Sequence, residues 1–145
     1  MSSALYPAYV FSIALTAINI YYLLGGLPLL VLKHDEPLDA NFIRSFFGMY
    51  CTLALWAAVG ACLSYIAWGR PGFAAGAACL AALVEAMRRH LLPQLQAAGE
   101  QLARTGAPGV MRFRQLHTRT LSLILAQVLE LMWGIFQLAR AAQAG

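Results

Sequence analysis

Charge is what this chain has least of. Only 11% of its 145 residues are Asp, Glu, Lys or Arg, while 61% are hydrophobic and the mean hydropathy is +0.66. So little polar surface cannot coat a water-soluble domain. Acids are scarcer than bases, six against ten. In so apolar a chain the resulting net charge of +4 points to a cytoplasmic membrane face and its anionic lipids, and away from nucleic acid. Cysteine is confined to Cys51, Cys62 and Cys79, all within apolar runs and with no C-x-x-C. That excludes a thioredoxin-like or quinone-coupled dithiol site and leaves packing in helix contacts as the expected role of all three. No nucleophile–base pair, phosphate loop or paired-carboxylate hydrolase site is visible, so the chain reads as non-enzymatic. The segment before Tyr6 carries no positive side chain, and no A-x-A-like site follows the first apolar run. That run is expected to stay in the mature protein as a span.

What is present is four long apolar runs, at about 6–32, 42–68, 72–92 and 116–138. Each holds about the 20 residues an α-helix needs to cross a bilayer core of ~30 Å. The expected fold is all-α: a single integral membrane four-helix bundle over residues 1–145. The short Gly69-Arg70-Pro71-Gly72 turn makes the second and third helices antiparallel neighbours. Asn41 is expected to cap the second helix behind Pro37, and Gly25, Gly26 and Pro28 to bend the first. The third helix is expected to run past its apolar stretch into the cytoplasm, with Leu91, Leu95, Ala98 and Leu102 along one side, until Thr105-Gly106-Ala107-Pro108-Gly109 stops it. Residues 88–116 then form a cytoplasmic hairpin. Gly48 with Thr52, and Gly72 with Gly76, are expected to permit close helix contact, either within the bundle or between copies of the chain.

Basic residues set the orientation. Lys33, Arg44, Arg88, Arg89, Arg104, Arg112, Arg114 and Arg119 lie in or beside the first and third loops, against Arg70 and Arg140 on the other side. The positive-inside rule places those loops in the cytoplasm and both termini outside, in a bacterial inner membrane. Arg88, Arg89, Arg104, Arg112, Arg114 and Arg119 are the candidates for contact with anionic headgroups or a membrane-protein partner. Tyr6, Tyr9, Tyr65, Trp68 and Trp133 suit the outer aromatic belt.

Polar residues inside the apolar runs mark the interior, because lipid offers them no partner. Ser12, Thr16 and Asn19 share one face of the first helix; Thr120, Gln127 and Glu130 share an arc of the fourth. Asn19 and Glu130 fall at similar depth. Asn19, Gln127 and Glu130 are therefore expected to form one intramembrane polar cluster, with Glu130 hydrogen-bonded or protonated. Glu85 is expected to pair with Arg88 and Arg89 one turn on. His34, His90 and His117, from three different segments, all fall at the cytoplasmic boundary. They are candidate ligands for a metal ion or a haem edge, although they match no ligand motif and ordinary interfacial hydrogen bonding also accounts for them; no cofactor is the simpler expectation.

The stretch Arg88, Leu92-Pro93-Gln94-Leu95, then Phe113-Arg114-Gln115-Leu116-His117 with Thr120, resembles the bacterial relatives of the transmembrane-protein-205-like family. Phe42, Phe46 and Phe47 at the second helix fit the same pattern. Thr120 stands where that family prefers Ser, and Ile124 where it often has Asn. The resemblance implies a four-span membrane protein and assigns no reaction. Three readings follow: a non-enzymatic membrane protein whose basic hairpin contacts lipid or a partner; a metal- or haem-handling protein using the three histidines; and a small proton-linked transporter, oligomeric, using Glu130.

Overall fold

A computed structural model of the chain describes residues 4–31, 37–105 and 107–143, which are helical almost throughout. The elements are α1 (Leu5–Leu29), α2 (Pro37–Ala67), α3 (Pro71–Ala86), a π-helical turn (Met87–Leu91), α4 (Leu92–Thr105) and α5 (Ala107–Gln143). Proline opens both α2 and α3, where its missing N–H costs nothing and its fixed φ suits the helix. Asn41 consequently lies inside α2 and not at its cap. α1 runs on through Gly25, Gly26 and Pro28, since a proline this close to the end removes little of the helix's bonding. Gly69, at φ +73°, ends α2: its N–H donates to the Ile66 carbonyl (3.0 Å) and that of Arg70 to the Tyr65 carbonyl (2.9 Å). This is the left-handed glycine stop that reverses the chain directly into α3.

The π turn has a cause in the sequence. Pro93 has no N–H to give, and its ring would strike the Arg89 carbonyl in a regular α-helix. The widened turn, in which Leu92 N–H reaches back five residues to the Met87 carbonyl, absorbs the conflict, and α4 follows without a break.

α2 is the central element, packing against α1, α3 and α4, while α5 packs against α1 and α4. The core between them is built from Leu15, Ile43, Phe47, Val84, Leu95, Phe113 and Ile124 among others. On α4 the expected stripe is buried at Leu95, Ala98 and Leu102, with Leu91 half-buried. It packs onto α2 and α5, which at 31 and 37 residues exceed what a bilayer core requires and so supply a surface for it. The hairpin is thus part of the bundle and does not project freely. α1, residues 40–67 of α2 and residues 109–140 of α5 are each long and apolar enough to cross a membrane; α3, at 16 residues, is not so by itself.

The expected close-contact glycines are not the ones used. A Cβ at Gly48, Gly72 or Gly76 would meet nothing within 4 Å, and Thr52 is exposed. Close approach occurs at Gly26, which abuts the Leu121 side chain, and at Gly109, where a Cβ would lie 2.8 Å from the Leu102 Cα. Cys79 is exposed, so of the three cysteines only Cys51 is fully packed. Gly109→Ala should lower stability by roughly 1–3 kcal/mol, because backbone and not a rotamer must yield. Gly48→Ala should be neutral or gain up to about 1 kcal/mol from helix propensity. Unfolding of both variants in mixed micelles, followed by circular dichroism, checks the contrast.

Candidate functional site

Three polar features stand out from the apolar bundle. The first is a buried hub. Asn19 of α1, Tyr50 of α2 and Gln127 of α5 are all at most 1% exposed. The Tyr50 hydroxyl lies 2.9 Å from Asn19 Oδ1 and 3.1 Å from Gln127 Oε1, two acceptors for its one proton. Asn19 Nδ2 donates to the Leu15 carbonyl (2.8 Å), and Gln127 Nε2 reaches the Met87 Sδ in the π turn (3.5 Å). Asn19 and Gln127 do come together, through a tyrosine the sequence pattern did not single out.

Glu130 is not part of this hub. It is exposed and has no hydrogen bond or ion pair among the described residues. The reason is angular. At ~100° per residue Thr120 and Gln127 nearly coincide on α5, while Glu130 lies about 60° to one side, at the edge of the buried face. Thr120 is buried and bonds back to the Leu116 carbonyl (2.9 Å). A second polar pair ties α1 to α2 nearer the α2–α3 turn: Ser12 Oγ donates to the Ala8 carbonyl (2.8 Å) and can accept from the Tyr65 hydroxyl (2.7 Å). Trp68 and Phe73 stack on Tyr65, Tyr9 packs against Trp68, and Arg70 lies over the Trp68 ring (5.1 Å).

The second feature is a basic rim. Arg88, Arg89, Arg104, Arg112, Arg114 and Arg119 are all exposed. Glu85 holds Arg89 firmly (Nε to Oε1, 2.6 Å) and Arg88 loosely (Nε to Oε2, 3.9 Å), as the spacing led one to expect. A cavity of about 340 Å³ lies between α2 and the start of α4, lined by Arg44, Ser45, Gly48, Arg88, Pro93 and Gln96. It joins two guanidinium groups from different helices. Arg44 was legible as a boundary charge but not as the neighbour of Arg88, which depends on the α2–α4 packing.

The histidines divide. His117 is fully buried, edge-on to Phe47 (5.3 Å between ring centres), whereas His90 is exposed; His34 lies outside the described residues. Among the described residues no three His, Cys, Asp or Glu side chains gather into a possible metal site.

The third feature is a lateral cleft of about 380 Å³ between α3 and α5, at the end of the bundle that holds the α2–α3 turn. Gly72 and Gly76 of α3 and Gly134 of α5 border it, and among the described residues Glu130 is the one charged side chain in its wall. Comparisons with protein-family models, curated proteins and solved structures give no match to this chain.

Removing the Tyr50 hydroxyl leaves buried acceptors on two helices without their donor. Tyr50→Phe should therefore cost about 1–3 kcal/mol. Glu130→Gln, at an unpartnered surface position, should stay within about 0.5 kcal/mol of the parent. Unfolding free energies in mixed micelles separate the two; equal losses would restore Glu130 to the hub.

Proposed function

We propose that the chain is a non-enzymatic, four-span protein of a bacterial inner membrane, with both termini outside and a basic cytoplasmic end that binds anionic phospholipid. The observation that carries this reading is the cavity joining Arg44 and Arg88. Counting about twenty residues along α2 and along α3 from their shared turn reaches Gly48 and Leu91, the level of that cavity. The fourth crossing is then α3 together with the π turn. A headgroup phosphate at this depth would meet two guanidinium groups with fixed fork geometry, flanked by Ser45 and Gln96, while its acyl chains run along the exposed apolar faces of α2. The loose Arg88–Glu85 pair leaves Arg88 free to turn toward it. Membership of the transmembrane-protein-205-like proteins, which the motifs quoted above resemble, would imply the same four-span arrangement. The metal reading lacks comparable support, since His90 and His117 differ so much in burial.

Cysteine-accessibility labelling at Ser2 and Gly145 should succeed from the outer face of intact cells; labelling only after the inner face is opened reverses the topology. Phosphatidylglycerol added to the detergent-solubilised protein should raise its melting temperature more than phosphatidylcholine does. Each basic group near an anionic surface contributes about 1 kcal/mol. The Arg44→Gln/Arg88→Gln double variant should therefore bind the anionic lipid roughly 30-fold more weakly. Equal stabilisation by both lipids, or a double variant that responds like the parent, defeats the lipid reading.

A further inference from the structure

We infer that the cleft between α3 and α5 is a binding site for an amphiphilic organic cation, with Glu130 as its counter-ion. The inference does not depend on the lipid reading of the basic end. The cleft walls are apolar: Leu15, Leu80 and Leu131 close its inner end, and Phe73 and Trp133 flank it. The hydroxyls of Ser12 and Tyr65, which also line it, already bond to each other. The amide of Gln137 is the other polar side chain in the α5 wall. Against this background stands one carboxylate, within the membrane-compatible stretch of α5 and without a partner among the described residues.

An unpaired acid in an apolar wall selects its ligand by charge. A neutral hydrocarbon would leave the carboxylate uncompensated, and an anion would be repelled. A cation with an apolar body satisfies both the wall and the acid. The aromatic side chains of Phe73 and Trp133 in the wall add attraction for a delocalised positive charge in a low-dielectric setting. The glycines leave room: a Cβ at Gly72, Gly76 or Gly134 would meet nothing within 4 Å, and all three border the cleft. A volume of about 380 Å³ lies within the range of small-molecule pockets.

Tetraphenylphosphonium is a suitable probe, and tetraphenylborate is its counterpart of the same shape and opposite charge. Equilibrium dialysis of the full chain in mild detergent should show saturable tetraphenylphosphonium binding, one per chain, not displaced by tetraphenylborate. Glu130→Gln should weaken binding about tenfold or more, through loss of a charge contact in low dielectric. Glu100→Gln, on α4 away from the cleft, should leave it unchanged. Gly76→Leu should fill the cleft and abolish binding while the protein keeps its helicity and melting behaviour, because its new side chain meets only open space. No saturable binding, or binding indifferent to Glu130→Gln, overturns the inference. Equal binding of both probes, abolished together by Gly76→Leu, makes the cleft a groove for apolar chains and also overturns it. So does a Gly76→Leu variant that halves the mass of the detergent-solubilised particle, which assigns the face to a second copy of the chain.

Discussion

The Tyr50 hydroxyl, shared between amide oxygens of α1 and α5, is the contact that gives this bundle its register. In a bilayer, helices gain nothing from burying leucine against leucine, since lipid tails are equally apolar. Specificity must come from hydrogen bonds and from close fits. The hub supplies the hydrogen bonds at one level, and Gly26 against Leu121 supplies a close fit nearby, between the same pair of helices, α1 and α5. Once α1, α2 and α5 are held this way, Gln127 also fixes Met87, so the π turn and its arginines, Arg88 and Arg89, are positioned from the buried hub.

The two halves of the bundle differ for reasons of side-chain volume. Toward the basic end, α2 and α5 meet through bulky residues such as Ile43, Phe47, Phe113 and Leu116, and the interior is filled. Toward the other end, nine of the sixteen residues of α3 are alanine or glycine. Small side chains let it lie close to α2 but do not reach across to α5, and there is no extensive contact between α3 and α5. The cleft is thus a product of the small side chains in this stretch of α3. The G-x-x-x-G within it lines a void and joins no helices.

Much of this could be read from the sequence, and the failures have physical causes. Apolar length located α1, α2 and the membrane-compatible stretch of α5, and helical spacing placed Ser12 and Asn19 on the buried face, whereas the α4 stripe, expected on one side of a projecting helix, packs into the bundle. Tyr50 escaped notice because a tyrosine within an apolar run is indistinguishable from core filling until its partners' depths are known. Glu130 was drawn into the interior because an arc of 80° was treated as one face, when the protein covers only part of that arc. The π turn was foreshadowed by Pro93, but the proline alone does not say whether the helix will kink, stop or widen. The Arg44–Arg88 cavity required tertiary packing that no local pattern encodes.

The arrangement bears on conduction as well as on binding. A proton passing from Glu130, which is level with Leu15, Leu80 and Leu131, to the basic end would meet the hub next. One turn further toward that end lie Asn19, Val84 and Gln127, all buried. The hydroxyl and both amides at that level are already engaged, with Leu15, Met87 and one another. A continuous relay needs groups free to exchange partners, and here breaking one bond strands a buried polar atom at a cost of about 1–3 kcal/mol. Glu130 instead stands in the wall of the cleft, the position that the ligand site we infer requires of a counter-ion.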